Sequence, residues 1–175
     1  GHRLALCTAP GQVEAEDKSV IVPRKGILEL SRLLDADGSV TLTVGSNHIR
    51  AATDQFTFTS KLIDGKFPEY ERVLPRSPDK SVTGDRTELR QAFTRTAILS
   101  NEKYRGVRLA LTNGSLEITA NNPEQEQAEE MVPVDYSGEA LEVGFNVSYL
   151  LDVLGVLSGS TVRMSLSDSA SSALV

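Results

Sequence analysis

Two stretches of this 175-residue chain follow one pattern and decide its fold. Residues 27–44 read ILELSRLLDADGSVTLTV, and residues 150–166 read LLDVLGVLSGSTVRMSL. In each, apolar residues at helical spacing are followed by a Gly-Ser turn and then by an alternating strand. The two stretches are offset by 122–123 positions. A repeat of that length indicates duplication of a whole domain rather than a short solenoid repeat.

The surrounding patterns predict an α+β class, in which antiparallel sheets are backed by helices. We expect helices at about 23–34, 86–99 and 146–157. Leu89, Ala92, Phe93 and Thr96 share one face of the second helix. The predicted strands are 40–44, which we expect to be half-buried, 49–52, 56–59, 107–111, 116–119 and 162–166. The fourth and fifth of these form a hairpin around Asn113-Gly114.

The predicted domain organisation has two parts. Residues 1–71 form the C-terminal part of one domain, the Pro-containing segment 72–80 is the linker, and residues 81–175 form most of a second domain. Residues 1–6 (GHRLAL) echo residues 106–111 (GVRLAL) and are expected to be a strand that has been cut into. The chain is therefore expected to be a fragment.

The distribution of charge is more informative than its total of −6. Residues 1–108 carry 17 of the 18 basic side chains, whereas residues 109–175 carry Arg163 and 10 carboxylates. This asymmetry favours two surfaces with different partners, with a mixed solvated surface as the alternative. Seven of the carboxylates fall within residues 121–145, where the alternative is a solvated acidic loop.

The single cysteine, Cys7, has no disulfide partner and is expected to be a buried thiol in a reducing cytoplasm. No apolar run approaches the ~20 residues that a transmembrane helix needs, and the N-terminus lacks the layout of a signal peptide. These features predict a cytoplasmic location.

Catalysis is not expected, and neither is a cofactor or a metal. His2 and His48 are the only histidines, and neither has the spacing of a metal site or a catalytic triad. No glycine-rich phosphate-binding loop is present. Two alternatives from other classes remain: a carboxylate-rich, metal-dependent hydrolase that EDTA would inhibit, and a peptide-binding adaptor without a DNA role.

Five motifs in order identify a family resemblance. They are SVIVPRKG (19–26), FPEYERVLP (67–75), AILSNEKYRGVRL (97–109), NNPEQE (121–126) and GFNVSY (144–149). Together they resemble the bacterial DNA polymerase III beta subunit, a sliding clamp, over essentially the whole chain. Relative to that family, the chain is expected to begin midway through the second of three domains and to stop short of the C-terminus.

The resemblance implies the DNA-clamp fold: a ring of six similar domains made by a head-to-tail homodimer, with sheets outside and paired helices lining the hole. The ring would slide on duplex DNA without reading bases and tether polymerases, the clamp loader and repair proteins. Contacts to phosphates alone would make binding weak and salt-dependent. The expected DNA-facing residues are Arg24, Lys25, Arg32, Arg86, Arg90, Arg95 and Arg105, and solvated helix surface is their alternative.

The resemblance also implies a hydrophobic groove for a short partner peptide, typically a glutamine followed by leucine and phenylalanine. The matching positions are Gly1, His2, Arg3, Leu4, Pro68, Arg72, Val73, Asn146, Tyr149, Ala170 and Ser172. Apolar walls and polar donors in this set suit peptide recognition. The alternatives are core positions for Leu4 and Val73, a helix N-cap for Asn146 and a packed helix position for Tyr149. Ala170 is smaller than the aliphatic residue usual in the family.

A dimer seam is the third expected site. The resemblance places an apolar pair and a set of carboxylates against the first domain of a second protomer. The residues are Ile98, Leu99, Glu124, Glu126, Glu129 and Glu130. Because the chain is expected to lack that first domain, it is expected to form no ring.

Overall fold

The structure is a computed structural model that describes residues 2–11, 16–35, 37–75 and 78–175. The chain divides into two compact units. We call Ala5–Tyr70 the N-terminal unit, and Gly1–Leu4 together with Glu71–Val175 the C-terminal unit.

The N-terminal unit contains one helix and one antiparallel sheet. Helix α1 spans Arg24–Leu33, and strands β1 (Thr41–Val44), β2 (His48–Ala52) and β3 (Thr57–Lys61) pair in the order β1-β2-β3. Gly26 lets α1 approach β3, since a Cβ atom there would lie 2.7 Å from the Ser60 hydroxyl oxygen. The sequence predicted the helix and the three strands to within about two residues.

Burial in the N-terminal unit differs from the prediction. The strand predicted at 40–44 begins at Thr41, and it is not half-buried, because Val40 and Leu42 are 39% and 56% exposed. Apolar alternation predicts which side chains share a face, but no described element covers this face of β1. Ala51 and Leu62 are the buried hydrophobic residues that the structure describes in this unit.

The N-terminal segment is also different from the prediction. Residues 2–11 form no strand, although residues 1–6 resemble a strand elsewhere in the chain. The reason is that no described strand pairs with them, so their backbone groups have no ladder to join. Cys7 lies in this segment and is exposed, so the expected burial of its thiol was wrong.

The C-terminal unit has two sheets and two helices. Strands β4 (Lys80–Asp85) and β9 (Thr161–Leu166) form an antiparallel pair. A second sheet has the order β7-β6-β5-β8, all antiparallel. Its strands are β5 (Gly106–Thr112), β6 (Ser115–Asn121), β7 (Gln127–Pro133) and β8 (Leu141–Asn146), and the helices are α2 (Arg86–Ala97) and α3 (Val147–Val156).

The predicted hairpin is confirmed: Asn113-Gly114 joins β5 to β6, and Gly114 has φ +74°, a conformation that glycine adopts without strain. The acidic run is only in part a solvated loop: Glu124 and Glu126 lie in an exposed turn, whereas Glu129, Glu130 and Glu142 lie in strands. Most of residues 127–146 lie in β7 and β8, where burial alternates along the strand and one side of each strand, with Val132 and Val143, reaches the core.

The core of the C-terminal unit lies between the helices and the sheets. The predicted buried face of α2 is confirmed, since Leu89, Ala92, Phe93 and Thr96 are all buried. The helix ends at Ala97, two residues earlier than predicted, which leaves Ile98 and Leu99 in the following turn. Asp85 caps the other end, where its carboxylate accepts a hydrogen bond from the Glu88 amide at 2.8 Å.

Candidate functional site

Helix α3 organises the expected groove residues of the C-terminal unit. Tyr149 lies in its first turn and is half-buried. The Arg3 guanidinium carbon lies 4.4 Å from the centroid of the Tyr149 ring, within the range of a cation–π contact. The His2 ring stacks on the same tyrosine at 6.4 Å between centroids. Three of the predicted groove residues are therefore in one cluster.

Asp152 joins this cluster, although the sequence did not suggest it. Its carboxylate accepts a hydrogen bond from Arg3, and the two form an ion pair. The sequence could have suggested Asp152 only through its spacing from Tyr149. Residues three apart on a helix share a face, and Asp152 follows Tyr149 by three.

Asn146 is the N-cap of α3, which confirms the helix-cap role that was the alternative to a groove position. Its side-chain oxygen accepts from the Ser148 amide at 2.9 Å, and its side-chain nitrogen donates to the Tyr104 carbonyl at 3.0 Å. Asn146 also lines an open depression of about 800 Å³ on the four-stranded sheet, together with Tyr104, Phe145 and Arg108. The cap therefore fixes this side chain at the rim of the depression.

Two apolar groove candidates are not core residues. Leu4 is 42% exposed and Val73 is 59% exposed, so the alternative of burial was wrong for both. Exposed aliphatic side chains in this unit are available to pack against an apolar ligand.

The remaining groove candidates are not joined to the Tyr149 cluster. Among the described residues, no hydrogen bond, ion pair or ring contact links Val73, Ala170 or Ser172 to it. Arg72 is exposed and lies at the end of a 3₁₀ turn, Tyr70–Arg72. Pro68 belongs to the N-terminal unit, and Gly1 lies outside the described residues.

The seven expected DNA-facing residues fall into two groups. Arg24, Lys25 and Arg90 are exposed, and within the described residues their side chains make no hydrogen bond or ion pair. Such side chains are available for phosphates.

The other four cations are engaged within the chain. Arg86 donates to the carbonyls of Gly159 and Leu154, at 2.7 and 3.1 Å, and so ties α2 to the end of α3. Arg105 donates to the Ala97 carbonyl at the end of α2. Arg32 pairs with Glu29, and Arg95 pairs with Glu130.

The Arg95–Glu130 pair connects two expected sites. Two parallel hydrogen bonds of 2.5 and 3.0 Å join the guanidinium on α2 to the carboxylate on β7. The hydrogen bond from Arg95 lowers the pKa of the Glu130 carboxyl, and the same bond raises the pKa of Arg95. A residue expected at the DNA and one expected at the seam therefore neutralise each other.

The seam candidates lie around this pair. Ile98 follows Arg95 by three residues and is 76% exposed, while Leu99 is half-buried. Glu129 is exposed on β7, which pairs only with β6 among the described strands, and Glu124 and Glu126 are exposed in the preceding turn. An exposed apolar side chain thus follows, by three residues, the arginine that binds the acidic strand β7.

Two properties of the described residues concern metal binding and membrane insertion. They contain no group of three or more histidine, cysteine, aspartate or glutamate side chains placed to hold a metal ion. Their helices are all too short or too polar to cross a membrane.

Comparisons with known proteins show which family the chain belongs to. The sequence pattern of the DNA polymerase III beta subunit central domain matches residues 1–69, and that of its C-terminal domain matches residues 71–175. The beta sliding clamp of Pseudomonas aeruginosa is 67% identical over 100% of this chain, and that of Escherichia coli K12 is 57% identical over 98%. The chain spans about half of these relatives, 48% and 47% of their lengths.

Solved structures agree with the sequence comparisons. A crystal structure of the DNA polymerase III subunit beta from P. aeruginosa has a TM-score of 0.89 at 67% identity, covering 93% of this chain and 45% of that one. A P. aeruginosa sliding clamp bound to griselimycin has a TM-score of 0.92 at 66% identity, covering 95% and 46%. Both neighbours share the α+β architecture with antiparallel sheets that the sequence predicted. With matches in order across both domains, this chain belongs to the bacterial DNA polymerase III beta subunit family.

Proposed function

We propose that this chain is part of a DNA sliding clamp, a processivity factor that surrounds duplex DNA and tethers its partners through a peptide groove. Support comes from relatives that are named as beta sliding clamps and match nearly the whole chain. In the full-length protein, head-to-tail homodimerisation would close the ring. The relatives are named as clamps rather than as enzymes, and we propose no catalytic step and no cofactor for this chain. We also propose that it acts in the cytoplasm, with residues 72–80 as the linker between its domains.

The observation that carries the proposal is the cluster around Tyr149. An aromatic ring on α3, a guanidinium and an imidazole lie together, and the same unit exposes the aliphatic side chains of Leu4 and Val73. This combination of apolar area with a few hydrogen-bond donors is what recognition of a short peptide requires. A relative bound to griselimycin adds that a sliding clamp takes a small ligand.

The DNA-binding part of the proposal is supported by Arg24, Lys25 and Arg90. Their exposed cationic groups fit binding to phosphates without sequence selection. A peptide-binding adaptor with no DNA role would bind the peptide but show no salt-sensitive association with duplex DNA.

Fluorescence polarisation with a labelled Gln-Leu-x-Leu-Phe-type peptide tests the groove. We expect saturable micromolar binding that Tyr149→Ala weakens about tenfold or more, because aromatic anchors dominate such interfaces. Met131→Ala is the matched control: this side chain is 60% exposed on β7, and its truncation should leave the affinity within about twofold.

The outcomes separate the parts of the proposal. Binding only by the full-length protein would keep the clamp function and show that residues beyond this chain complete the groove. Absence of binding by both forms would reject the groove assignment.

A further inference from the structure

The Arg3 guanidinium contacts both the Tyr149 ring, on which His2 also stacks, and an acidic side chain. Arg3 lies over the ring at 4.4 Å, and it donates to the carboxylate of Asp152. Tyr149 and Asp152 lie on the same face of α3 because they are three residues apart. The ring and the carboxylate together therefore fix the position of the guanidinium.

Asp152 is the polar anchor of this arrangement. Among the described residues, it is the one side chain to which Arg3 hydrogen-bonds. The Arg3 and Asp152 side chains are 54% and 64% exposed, so solvent weakens their attraction and the contact is reversible. Without the Asp152 carboxylate, only the cation–π contact would hold the long and flexible Arg3 side chain, so its position over the ring would be less restricted.

The position of Arg3 matters for any ligand of the groove. An apolar ligand side chain that packs on the ring needs one of its faces, and the guanidinium covers a face. Binding there requires Arg3 to move, and movement requires the ion pair to break.

We propose that Asp152 is a positioning residue that acts as a latch: it holds Arg3 over Tyr149 and thereby limits access of partner peptides to the ring. This inference rests on the proposed peptide-binding function. It assigns to Asp152 an effect on affinity through Arg3, without contact between Asp152 and the peptide.

The first test compares Asp152→Asn with the parent 175-residue chain, using an uncharged, end-capped Gln-Leu-Ser-Leu-Phe peptide. We expect Asp152→Asn to bind about two- to fivefold more tightly, the range that loss of an exposed ion pair permits. Asp152→Glu should keep the parent affinity because it keeps the charge. Glu139→Gln, which removes one exposed carboxylate from the loop before β8, should have no effect.

Salt provides a readout that a purely structural role would not change. Screening weakens the Arg3–Asp152 pair, so the parent chain should bind the uncharged peptide more tightly as salt rises. The affinity of Asp152→Asn should be nearly independent of salt. Far-UV circular dichroism checks that the variants are folded, as expected for a substitution at an exposed site.

A measurement without peptide separates the latch from the groove. Fluorotyrosine labels the four tyrosines, and Tyr149→Phe assigns the fluorine resonance of Tyr149. Release of Arg3 in Asp152→Asn should shift that resonance, whereas Glu139→Gln should not. A shift with no peptide binding by any variant would retain the latch and reject the groove. An unshifted resonance, or weaker peptide binding by Asp152→Asn, would overturn the latch.

Discussion

Replacing Arg24, Lys25 and Arg90 with glutamine should remove nearly all of the salt dependence with which this chain binds duplex DNA. Of the seven cations expected at DNA, these three have no internal partner among the described residues. Each phosphate contact contributes about −0.9 to the slope of log K against log salt concentration. Three contacts give a slope of about −2.7, and seven would give about −6.3.

The assay is fluorescence anisotropy of a labelled duplex over a range of low salt concentrations. The Arg24→Gln/Lys25→Gln pair should reduce the slope by about 1.8, and Arg90→Gln by about 0.9. These changes are read separately, since Arg24 and Lys25 lie in the N-terminal unit and Arg90 in the C-terminal unit.

The matched control is the triple glutamine variant of Arg32, Arg95 and Arg108. It removes the same charge from cations that are already bound to carboxylates, namely Glu29 for the first, Glu130 for the second, and Glu117 and Glu142 for the third. Its slope should stay close to that of the parent chain. Equal losses of slope in both triple variants would refute the division into engaged and available cations.

Two further predictions concern stability. Phe93→Ala, at a fully buried position of α2, should lower the free energy of unfolding by about 3–5 kcal/mol, measured by urea unfolding followed by circular dichroism. The same truncation at Phe67, which is 54% exposed, should change it by no more than about 0.5 kcal/mol. Similar unfolding midpoints for the two variants would contradict the described core. The Glu130 pKa is lowered by folding, so its contribution to stability is complete above the ordinary carboxyl pKa and is lost as pH falls through the lowered folded value. The stability difference between the parent and Glu130→Gln should therefore be present at neutral pH and disappear in acid; a difference that persists there would exclude the charged pair as its source.

The sequence predicted the parts of the fold that local spacing controls. Helix α2 has its buried face where Leu89 and Phe93 recur at helical spacing, and the Asn113-Gly114 turn joins β5 to β6 as expected. Both follow from side-chain periodicity and turn chemistry within a short segment. The same reasoning wrongly predicted that the strand containing Val40 and Leu42 would be half-buried. Burial of these side chains requires a second element that covers their side of the strand, and local spacing does not reveal one.

The candidate site was less predictable, because its contacts join distant residues. Arg95 and Glu130 are 35 positions apart, and Arg3 and Asp152 are 149 apart. No spacing rule connects such pairs. Similarly, an arginine on a helix surface has the same local pattern whether it is available for phosphate or donates to a carbonyl, as Arg86 does.

The acidic edge strand β7 has a consequence for symmetry. If two copies of this edge paired with each other about a two-fold axis, the exposed Glu129 of one copy would approach Glu129 of the other, and like charges opposite each other destabilise a sheet. The edge therefore disfavours association with itself and favours a different surface that carries positive charge. Contacts between unlike surfaces run head to tail, and repetition of such a contact closes a ring when the rotation between copies permits it. An exposed carboxylate on β7 would thus favour a directional contact between unlike surfaces over a back-to-back pair of this edge.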